Sequence, residues 1–327
     1  MAEQSDRRRK GTASQHQPHA RHALLLHQGD GSCVHGLRSV LPAAPDAGAV
    51  LAVVTPETYE LIGTTLGRFA AFADVTALGR NPARVIPAIR QFVETHGCDR
   101  RVVVVTEQWW DEREMAERAE LARHEALTNL AFGANDVDLV CLYDTRRVKP
   151  EIVEDAKRTH PLLADDAGVR PNPWFVDPHE LLERASASFE PAPSSAESFE
   201  VDAGHLSGLR NRIEERANAA GLRPDRVEDL VLAANELATN VVRHGDGRGS
   251  LQMWTDDGWL VCEVRDDGCV DDPLVGTRTP PVDDTSGRGL WIVNQLCDLV
   301  EFRSGPNGTA VRMRFARPGS AISASAV

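Results

Sequence analysis

Apolar segments alternate with amphipathic stretches along the first half of the chain. The segments with strand character lie at 23–27, 50–55, 74–77, 101–106 and 137–143. Helical spacing of apolar positions predicts helices near 33–41, 57–69, 82–95 and 112–131, with a further helix after Pro150. Apolar strands separated by helices are typical of a doubly wound α/β domain with a mainly parallel sheet.

The order of elements changes in the last third of the chain. Helices are predicted at about 205–220 and 224–244, followed by a strand pair at 249–254 and 259–265 across a tight-turn sequence. A further helix and two strands are predicted at 289–296, 299–303 and 309–315. Helices on one face of a largely antiparallel sheet make an α+β sandwich.

Composition divides the chain into two predicted domains, at 21–184 and 200–317. The Ser-, Ala- and Pro-rich stretch 185–199 has no periodicity and is predicted to be a linker. Residues 1–20 are rich in Arg, Gln and His and are predicted to be disordered, and residues 318–327 form a predicted frayed tail. A length of 327 residues suits two domains.

Charge, hydropathy and cysteine spacing argue against several functional classes of protein. No apolar run approaches the ~20 residues of a membrane helix, and no signal-peptide stretch follows the basic cluster at 7–10, so we expect a cytoplasmic protein that does not contact a membrane. The formal net charge of −13 argues against direct DNA binding, which needs clustered Lys and Arg. The six cysteines form no C-x-x-C pair, so their spacing predicts reduced thiols and no zinc site.

Two pairs of residues in the second domain have the spacing of a functional site. Glu236 and Asn240 are four apart on a predicted helix and therefore share a face. Asp266 ends a strand, and Gly268 follows where the backbone must turn sharply. Taken singly, the first pair is typical of a solvated helix and the second of a common turn.

Two further motifs follow in the same domain. Gly287, Gly289 and Leu290 belong to a glycine-rich turn that runs straight into a helix, where free N–H groups bind anions such as phosphate. Thr309, after a glycine, opens the last strand, and we expect its hydroxyl group to point back toward the acid at the end of the earlier strand. Two glycines alone would be weak evidence for a phosphate-binding site. Four motifs in this order strongly indicate a functional site.

The motifs E-L-A-T-N, D-D-G, G-R-G-L and G-T resemble the N box, the two glycine boxes and the closing strand of GHKL ATPases. The stretch 287–298 (GRGLWIVNQLCD) is similar to the compact form found in anti-sigma-factor serine kinases. The resemblance implies a GHKL, or Bergerat, sandwich over 200–317 that binds ATP together with Mg²⁺.

The resemblance also implies a role for each matched residue. Asp266 is expected to hydrogen-bond the adenine amino group, with Thr309 in the same polar network. Asn240 is expected to give an oxygen to Mg²⁺, and Glu236 to act as the general base toward a serine or a water. The remaining nucleotide-binding residues are expected in the glycine boxes: Gly268, Gly287, Gly289 and Leu290.

One position departs from the family pattern. Val270 stands where the family often has a second glycine, and a bulkier side chain is expected to stiffen the start of the nucleotide lid at 271–285. Two nearby cations, Arg243 and Arg265, are candidates for phosphate contact or surface residues.

The first domain resembles MEDS-type sensory domains over residues 20–182. The resemblance rests on the stretches RHEALTNLAF, LYD and THP, which begin at 123, 142 and 159, and on the opening at 22–27. No phosphate-loop motif is present, so no ATP site is predicted in this half. Glu125 and Asn129 repeat the four-residue spacing of the ATP-binding box, but no glycine box follows them, and we expect them to pack or hydrogen-bond inside the domain.

Other polar and aromatic residues of the first half are weaker evidence for a functional site than the motifs of the second domain. The histidines near Cys33 form no helical i, i+4 pair, so they do not predict a metal site. Trp109 and Trp110 follow a strand, where they either line a small-molecule pocket or simply pack. Cys141 is expected to be a buried apolar residue rather than a redox switch.

Together the resemblances imply a transcription regulator. The expected activity is that of an ATP-dependent anti-sigma factor with serine kinase activity toward an anti-anti-sigma partner, controlled by a signal or small ligand at the first domain. One alternative is a module that sequesters a sigma factor without kinase turnover. Another is an atypical histidine kinase, which is disfavoured because only one helix, beginning near His205, precedes the ATP-binding helix. The sequence also leaves open whether the protein forms a homodimer.

Overall fold

The computed structural model describes residues 21–41, 49–67, 70–97, 101–110, 113–133, 137–185, 189–244, 247–280 and 287–320. The predicted disorder of residues 1–20 lies outside the described residues, as do parts of the predicted linker, lid and tail: 186–188, 281–286 and 321–327. Among the helices described, none is both long enough and apolar enough to cross a membrane.

The first half of the chain builds a seven-stranded sheet. Its strands are β1 (Arg21–His27), β2 (Ala49–Val54), β3 (Ala71–Asp74), β4 (Val102–Thr106), β5 (Val137–Asp144), β6 (Leu162–Asp165) and β7 (Gly168–Pro171). Their order in the sheet is β3-β2-β4-β5-β1-β6-β7, and every neighbouring pair is parallel except β6 and β7. The prediction of a mainly parallel α/β sheet is confirmed.

Helices cover both faces of this sheet. They are α1 (Asp30–Val40), α2 (Pro56–Leu66), α3 (Val75–Leu78), α4 (Val85–His96), α5 (Arg118–Phe132), α6 (Pro150–Thr159) and α7 (Pro178–Ala185). Alternate residues of β2 enter different cores: Leu51 and Val53 pack in the cluster with α4 and α5, whereas Ala52 and Val54 pack in the cluster with α1 and α2. Burial on both faces explains why the strands are apolar throughout.

The strand predicted at 74–77 is wrong in position. Strand β3 ends at Asp74, whose carboxylate accepts a hydrogen bond of 2.8 Å from the backbone N–H of Thr76. This side chain caps the N-terminus of α3, so the chain turns into a short helix where the apolar pattern suggested a strand.

The second half of the chain forms a five-stranded antiparallel sheet with helices on one face. In chain order its elements are β8 (Glu197–Val201), α8 (Leu206–Ala219), α9 (Pro224–His244), β9 (Gly249–Asp256), β10 (Trp259–Asp266), α10 (Gly289–Leu296), β11 (Leu299–Gly305) and β12 (Gly308–Ala316). The strand order is β11-β12-β10-β9-β8. The predicted α+β sandwich is confirmed, and the tight turn between β9 and β10 has Asp257 and Gly258 at positive φ.

Strand β8 begins inside the stretch predicted to be a linker. It pairs antiparallel with β9, and Val201 is buried in the core while Phe199 packs against it. These two apolar residues alternate with polar neighbours, which gives the short segment the period of an edge strand. The Ser- and Pro-rich composition around it concealed that pattern.

Helix α9 is the longest helix described, and it positions the candidate site. Its buried stripe includes Leu230, Ala234, Leu237 and Val241, which pack on the sheet. A neighbouring face of the same helix is only half-buried, and it lies toward the start of α10.

Candidate functional site

A cavity of about 240 Å³ lies where α9, the end of β10, the start of α10 and β12 meet. Seven of the eight predicted site residues line it: Asn240, Asp266, Gly268, Gly287, Gly289, Leu290 and Thr309. The eighth, Glu236, stands beside this lining, one turn before Asn240 on α9. The apolar part of the wall includes Leu237, Val264 and Phe302.

Gly289 brings the start of α10 against the polar face of α9. A Cβ atom at this position would lie 3.0 Å from Nδ2 of Asn240 and 3.2 Å from Oε2 of Glu236. Any side chain here would therefore press on both predicted functional groups. The N-cap residue, Arg288, makes no side-chain capping hydrogen bond, so the first turn of α10 carries backbone N–H groups suited to an anion.

The other end of the cavity is a network around Asp266. One carboxylate oxygen of Asp266 accepts a hydrogen bond of 2.7 Å from the backbone N–H of Gly268. The hydroxyl of Thr309 donates to the carbonyl oxygen of Gly268 at 2.8 Å, and Asp266 is paired with Thr309 across β10 and β12. Thr309 thus braces the turn that holds the acid, and its Oγ1 lies 2.9 Å from Oγ of Ser304.

Ser304 was missed by sequence reasoning. It lies on β11 opposite Thr309, and it also accepts a hydrogen bond of 2.8 Å from the backbone N–H of Val270. Only the pairing register of β11 with β12 brings it to the site. A serine in a strand, with no motif around it, carries no signal of that register.

Gly308 has a packing role as well as a turn role. Its φ is +96°, and a Cβ atom there would overlap the backbone carbonyl oxygen of Asp266. The start of β12 can therefore approach the end of β10 only if this residue is glycine.

The departure at Val270 costs no backbone strain. Its φ is not positive, and its side chain is exposed. Neither Arg243 nor Arg265 lines the cavity: Arg243 is exposed, and Arg265 forms an ion pair with the buried Glu263.

The first half of the chain contacts the far end of α10. Arg84 donates hydrogen bonds to the carbonyl oxygens of Asn294, Gln295 and Cys297 at 3.0, 2.7 and 2.8 Å. Asn81 adds a bond of 2.9 Å to the carbonyl oxygen of Asn294. Burial lowers the pKa of Arg84, against the opposing effect of nearby Asp298. A cation at a helix C-terminus satisfies carbonyl groups that the helix itself leaves open.

A second contact joins the two halves beside the cavity. Arg303 on β11 forms an ion pair with Glu120 of α5, whose side chain is fully buried. Next to it, the guanidinium of Arg123 lies 5.2 Å from the ring centroid of Phe302, a residue of the cavity wall. Both contacts come from α5, and the second involves the cavity wall.

The first half also has a buried polar cluster, in which Glu125 is 1% exposed and hydrogen-bonded within the domain. Asn129 likewise bonds to backbone carbonyls, so the ATP-box spacing of this pair is a packing feature, as the sequence predicted. Burial raises the pKa of Cys141 well above its usual range. Trp109 lines a hollow of only about 10 Å³, and Trp110 stacks on Arg113 with the guanidinium 3.9 Å from the ring centroid.

Comparison with known proteins identifies both halves. Residues 199–315 match the family of histidine kinase-like ATPase domains, and residues 21–161 match MEDS, the methanogen/methylotroph, DcmR sensory domain. Among solved structures, the RsbU and RsbW domains of Rv1364c from Mycobacterium tuberculosis match with 19% identity and a TM-score of 0.29. That match covers 38% of this chain and 35% of the other. No curated protein matches the chain.

Three observations indicate the same kind of domain, a histidine kinase-like ATPase domain. They are the order of the four motifs, the α+β sandwich that carries them and the family match. The cavity is one for which the fold implies ATP and usually Mg²⁺, and the close approach of Gly289 to Asn240 and Glu236 fits a phosphate-binding helix start. The chain therefore carries a MEDS sensory domain at residues 21–161, followed at residues 199–315 by a histidine kinase-like ATPase domain of the GHKL type.

Proposed function

We propose that the protein is an ATP-dependent anti-sigma factor that phosphorylates a serine of an anti-anti-sigma protein, under control of its MEDS domain. The observation that carries the proposal is the convergence of Asn240, Gly289 and Asp266 on one cavity of the ATPase domain, with Glu236 beside its lining. Its proposed partners act on RNA polymerase in the cytoplasm, and we place the protein there.

In the proposed complex, the adenine and the phosphates of ATP lie at opposite ends of the cavity. Asp266, held by Gly268 and braced by Thr309, accepts a hydrogen bond from the adenine amino group. The start of α10 receives the phosphates on its backbone N–H groups. Asn240 offers its side-chain oxygen to Mg²⁺, which neutralises charge on the phosphates when bound.

Glu236 is the proposed general base. Its carboxylate accepts the proton of the incoming serine hydroxyl while the serine oxygen bonds to the γ-phosphorus and the bridging bond to ADP breaks. The products are phosphoserine and ADP, and the proton rests on Glu236 until it passes to solvent. The proximity of Glu236 to the start of α10, where the phosphates are placed, supports this role.

The MEDS domain contacts the ATPase domain at two places that matter for the cavity. Arg84 holds the C-terminal end of α10, whose first residue, Gly289, lines the cavity. Arg123 and Glu120 contact Phe302 and Arg303 of β11. We propose that a signal in the MEDS domain alters these contacts and thereby the relative stability of two states of the ATPase domain.

The test is transfer of labelled γ-phosphate from Mg-ATP into a lysate of the source organism. Acid-stable label on a small acceptor, present with wild type and lost with Glu236→Gln, supports serine kinase activity. The matched control is Glu228→Gln, an exposed glutamate of the same helix, which should label as wild type does.

Other outcomes separate the alternatives. Bound ATP without any labelled acceptor contradicts the kinase proposal and leaves a nucleotide-gated sequestering module. Acid-labile label on the protein itself indicates a histidine kinase. His205 is the candidate that the sequence offers for that role, and its Nδ1 lies 2.8 Å from a carboxylate oxygen of Asp202 near the start of α8.

A further inference from the structure

Four buried side chains of the MEDS domain converge from different parts of the fold. His22 lies on β1, Glu125 on α5, Cys141 on β5 and His160 just after α6. Their relative exposures are 2%, 1%, 1% and 0%. One donor atom from each lies within 4.8 Å of each of the others.

Three of the separations between these donor atoms match a tetrahedral metal site, and a fourth, between Glu125 and Cys141, is somewhat longer. Nε2 of His22 lies 3.3 Å from Sγ of Cys141 and 3.3 Å from Oε2 of Glu125. Oε2 of Glu125 lies 3.4 Å from Nε2 of His160 and 3.9 Å from Sγ of Cys141. Zinc bonds of about 2.0–2.1 Å to nitrogen or oxygen and about 2.3 Å to sulfur, at tetrahedral angles, place such donors roughly 3.3–3.6 Å apart.

The outer nitrogens of both histidines are held by oxygen acceptors. Nδ1 of His22 lies 3.1 Å from Oδ1 of Asn129, and the amide nitrogen of Asn129 donates to backbone carbonyls, which fixes the amide orientation. Nδ1 of His160 lies 2.7 Å from the carbonyl oxygen of Ala156. Each Nδ1 therefore carries the proton, and each Nε2 directs a lone pair into the cluster. This is the arrangement that outer-shell partners impose on metal-binding histidines.

The four side chains do not satisfy all of one another's hydrogen-bonding groups. Nε2 of His160 is fully buried and has no hydrogen-bond partner among the described residues, although it faces Oε2 of Glu125. Lone pairs on nitrogen and on a carboxylate oxygen repel each other unless a cation lies between them. A buried polar atom in this situation costs free energy, which a bound ion would remove.

The remaining two donors are also prepared for a cation. The hydroxyl of Tyr143 and the amide of Gln108 donate to Oε1 of Glu125 at 3.1 and 3.0 Å, which leaves Oε2 directed at the histidines. The hydroxyl of Thr106 donates to Sγ of Cys141 at 3.1 Å, so a hydrogen-bond donor outside the cluster holds the sulfur in position.

We infer that His22, Glu125, Cys141 and His160 bind one divalent transition-metal ion, Zn²⁺ by the chemistry of the ligands. A carboxylate and a thiolate neutralise two positive charges, so the filled site buries no net charge. Imidazole and thiolate exclude Mg²⁺ and Ca²⁺, which take oxygen ligands, and four protein ligands in a closed site are typical of structural rather than catalytic zinc.

The site lies in the domain that contacts the ATPase domain. Glu125 is on α5, the same helix as Glu120 and Arg123, which contact β11. Loss of the ion would therefore release one ligand on the helix that forms the contact. The metal site is independent of the proposed kinase activity, because its detection needs neither ATP nor a partner protein.

The first test is the metal content of the purified full-length protein, measured by inductively coupled plasma mass spectrometry. We expect one zinc ion per chain, reduced by about tenfold or more in Cys141→Ser and in Glu125→Gln. The matched control is Cys33→Ser, which changes another buried cysteine of the same domain and should retain the ion. Far-ultraviolet circular dichroism separates loss of metal from loss of fold.

The second test keeps the inference falsifiable if zinc is lost during purification. Chelator-treated protein is titrated with Co²⁺, and a thiolate-to-cobalt charge-transfer band with the intense visible bands of tetrahedral cobalt is expected. Both should disappear in Cys141→Ser and persist in Cys33→Ser. Wild-type protein that contains no metal and gives no such bands would overturn the inference, as would equal bands in the two variants.

Discussion

The guanidinium of Arg84 donates a hydrogen bond from Nε to the carbonyl oxygen of Asn294, 3.0 Å away. This bond joins the MEDS domain to the last turn of α10. The first residue of the same helix, Gly289, lines the candidate nucleotide cavity. Eight residues at about 1.5 Å each put the two ends about 12 Å apart, so one helix spans from the domain contact to the candidate cavity.

Replacement of Arg84 by alanine tests this contact. The variant removes bonds to three carbonyl oxygens at the end of α10, and a charge-assisted hydrogen bond contributes about 1.5–3 kcal/mol. We expect amide hydrogen exchange in α10 to accelerate by at least about tenfold, since about 1.4 kcal/mol corresponds to one factor of ten. Hydrogen exchange with mass spectrometry on peptides covering 289–296 measures the effect.

The control for that experiment is Arg38→Ala, an exposed arginine of α1 in the same domain. It should leave exchange in α10 unchanged. Equal exchange in Arg84→Ala and wild type would show that the MEDS domain does not stabilise α10.

The salt bridge between Arg303 and Glu120 gives a prediction about stability. Arg303→Ala leaves the fully buried carboxylate of Glu120 with Arg123, 3.6 Å away, as its remaining arginine partner. Breaking a buried pair from one side costs about 3 kcal/mol or more, so thermal unfolding should begin about 5–10 °C lower. Scanning calorimetry measures the shift.

The double variant Arg303→Ala with Glu120→Gln provides the internal control. Because the glutamine carries no charge, the second substitution should recover part of the lost stability instead of adding to the loss. Simple additivity of the two substitutions would contradict a buried electrostatic contact at this position.

The hydroxyl of Thr309 is predicted to support nucleotide affinity. Thr309→Val keeps the shape of the side chain but removes the bond to the carbonyl oxygen of Gly268, beside Asp266. A neutral hydrogen bond contributes about 1 kcal/mol, so ATP should bind roughly fivefold more weakly. Thr255→Val, an exposed threonine of β9, should bind as wild type does in the same calorimetric titration. An equal loss of ATP affinity in both variants would show that Thr309 has no specific role in nucleotide binding.

Asn240 is predicted to make nucleotide binding depend on magnesium. In wild-type protein, ATP should bind more tightly with Mg²⁺ than with a chelator present, and Asn240→Ala should abolish that difference because the oxygen ligand is gone. Asn235→Ala on the same helix is the control, since Asn235 contacts Arg210 outside the cavity. A magnesium dependence that survives in Asn240→Ala would assign the metal ligand elsewhere.

The fold and most of the cavity could be predicted because their signals are local. Continuous apolar strands and three-to-four spacing specify the elements, and each glycine box occupies a few consecutive residues. The strand at 74–77 was misplaced because the N-cap bond of Asp74 outweighs a short apolar pattern. The boundaries of the predicted linker and disordered ends stay predictions.

The features that escaped prediction depend on residues far apart in the chain. His22, Glu125, Cys141 and His160 form no short ligand motif, and only the adjacency of β1 with β5 and the packing of α5 and α6 bring them together. Ser304 is brought to Thr309 of the candidate cavity through strand register alone. Long-range pairing of this kind leaves no periodic trace in a single sequence.

Calorimetric titration of the full-length protein with a non-hydrolysable ATP analogue and Mg²⁺ tests the central claim most directly. Wild-type protein should bind one analogue per chain, whereas Gly289→Ala, whose Cβ would press on Asn240 and Glu236, should bind about tenfold more weakly. Gly208→Ala, where a Cβ meets open space, should bind as wild type does. Absence of binding to wild type, or equal binding by both glycine variants, would contradict the assignment of this cavity as the ATP site.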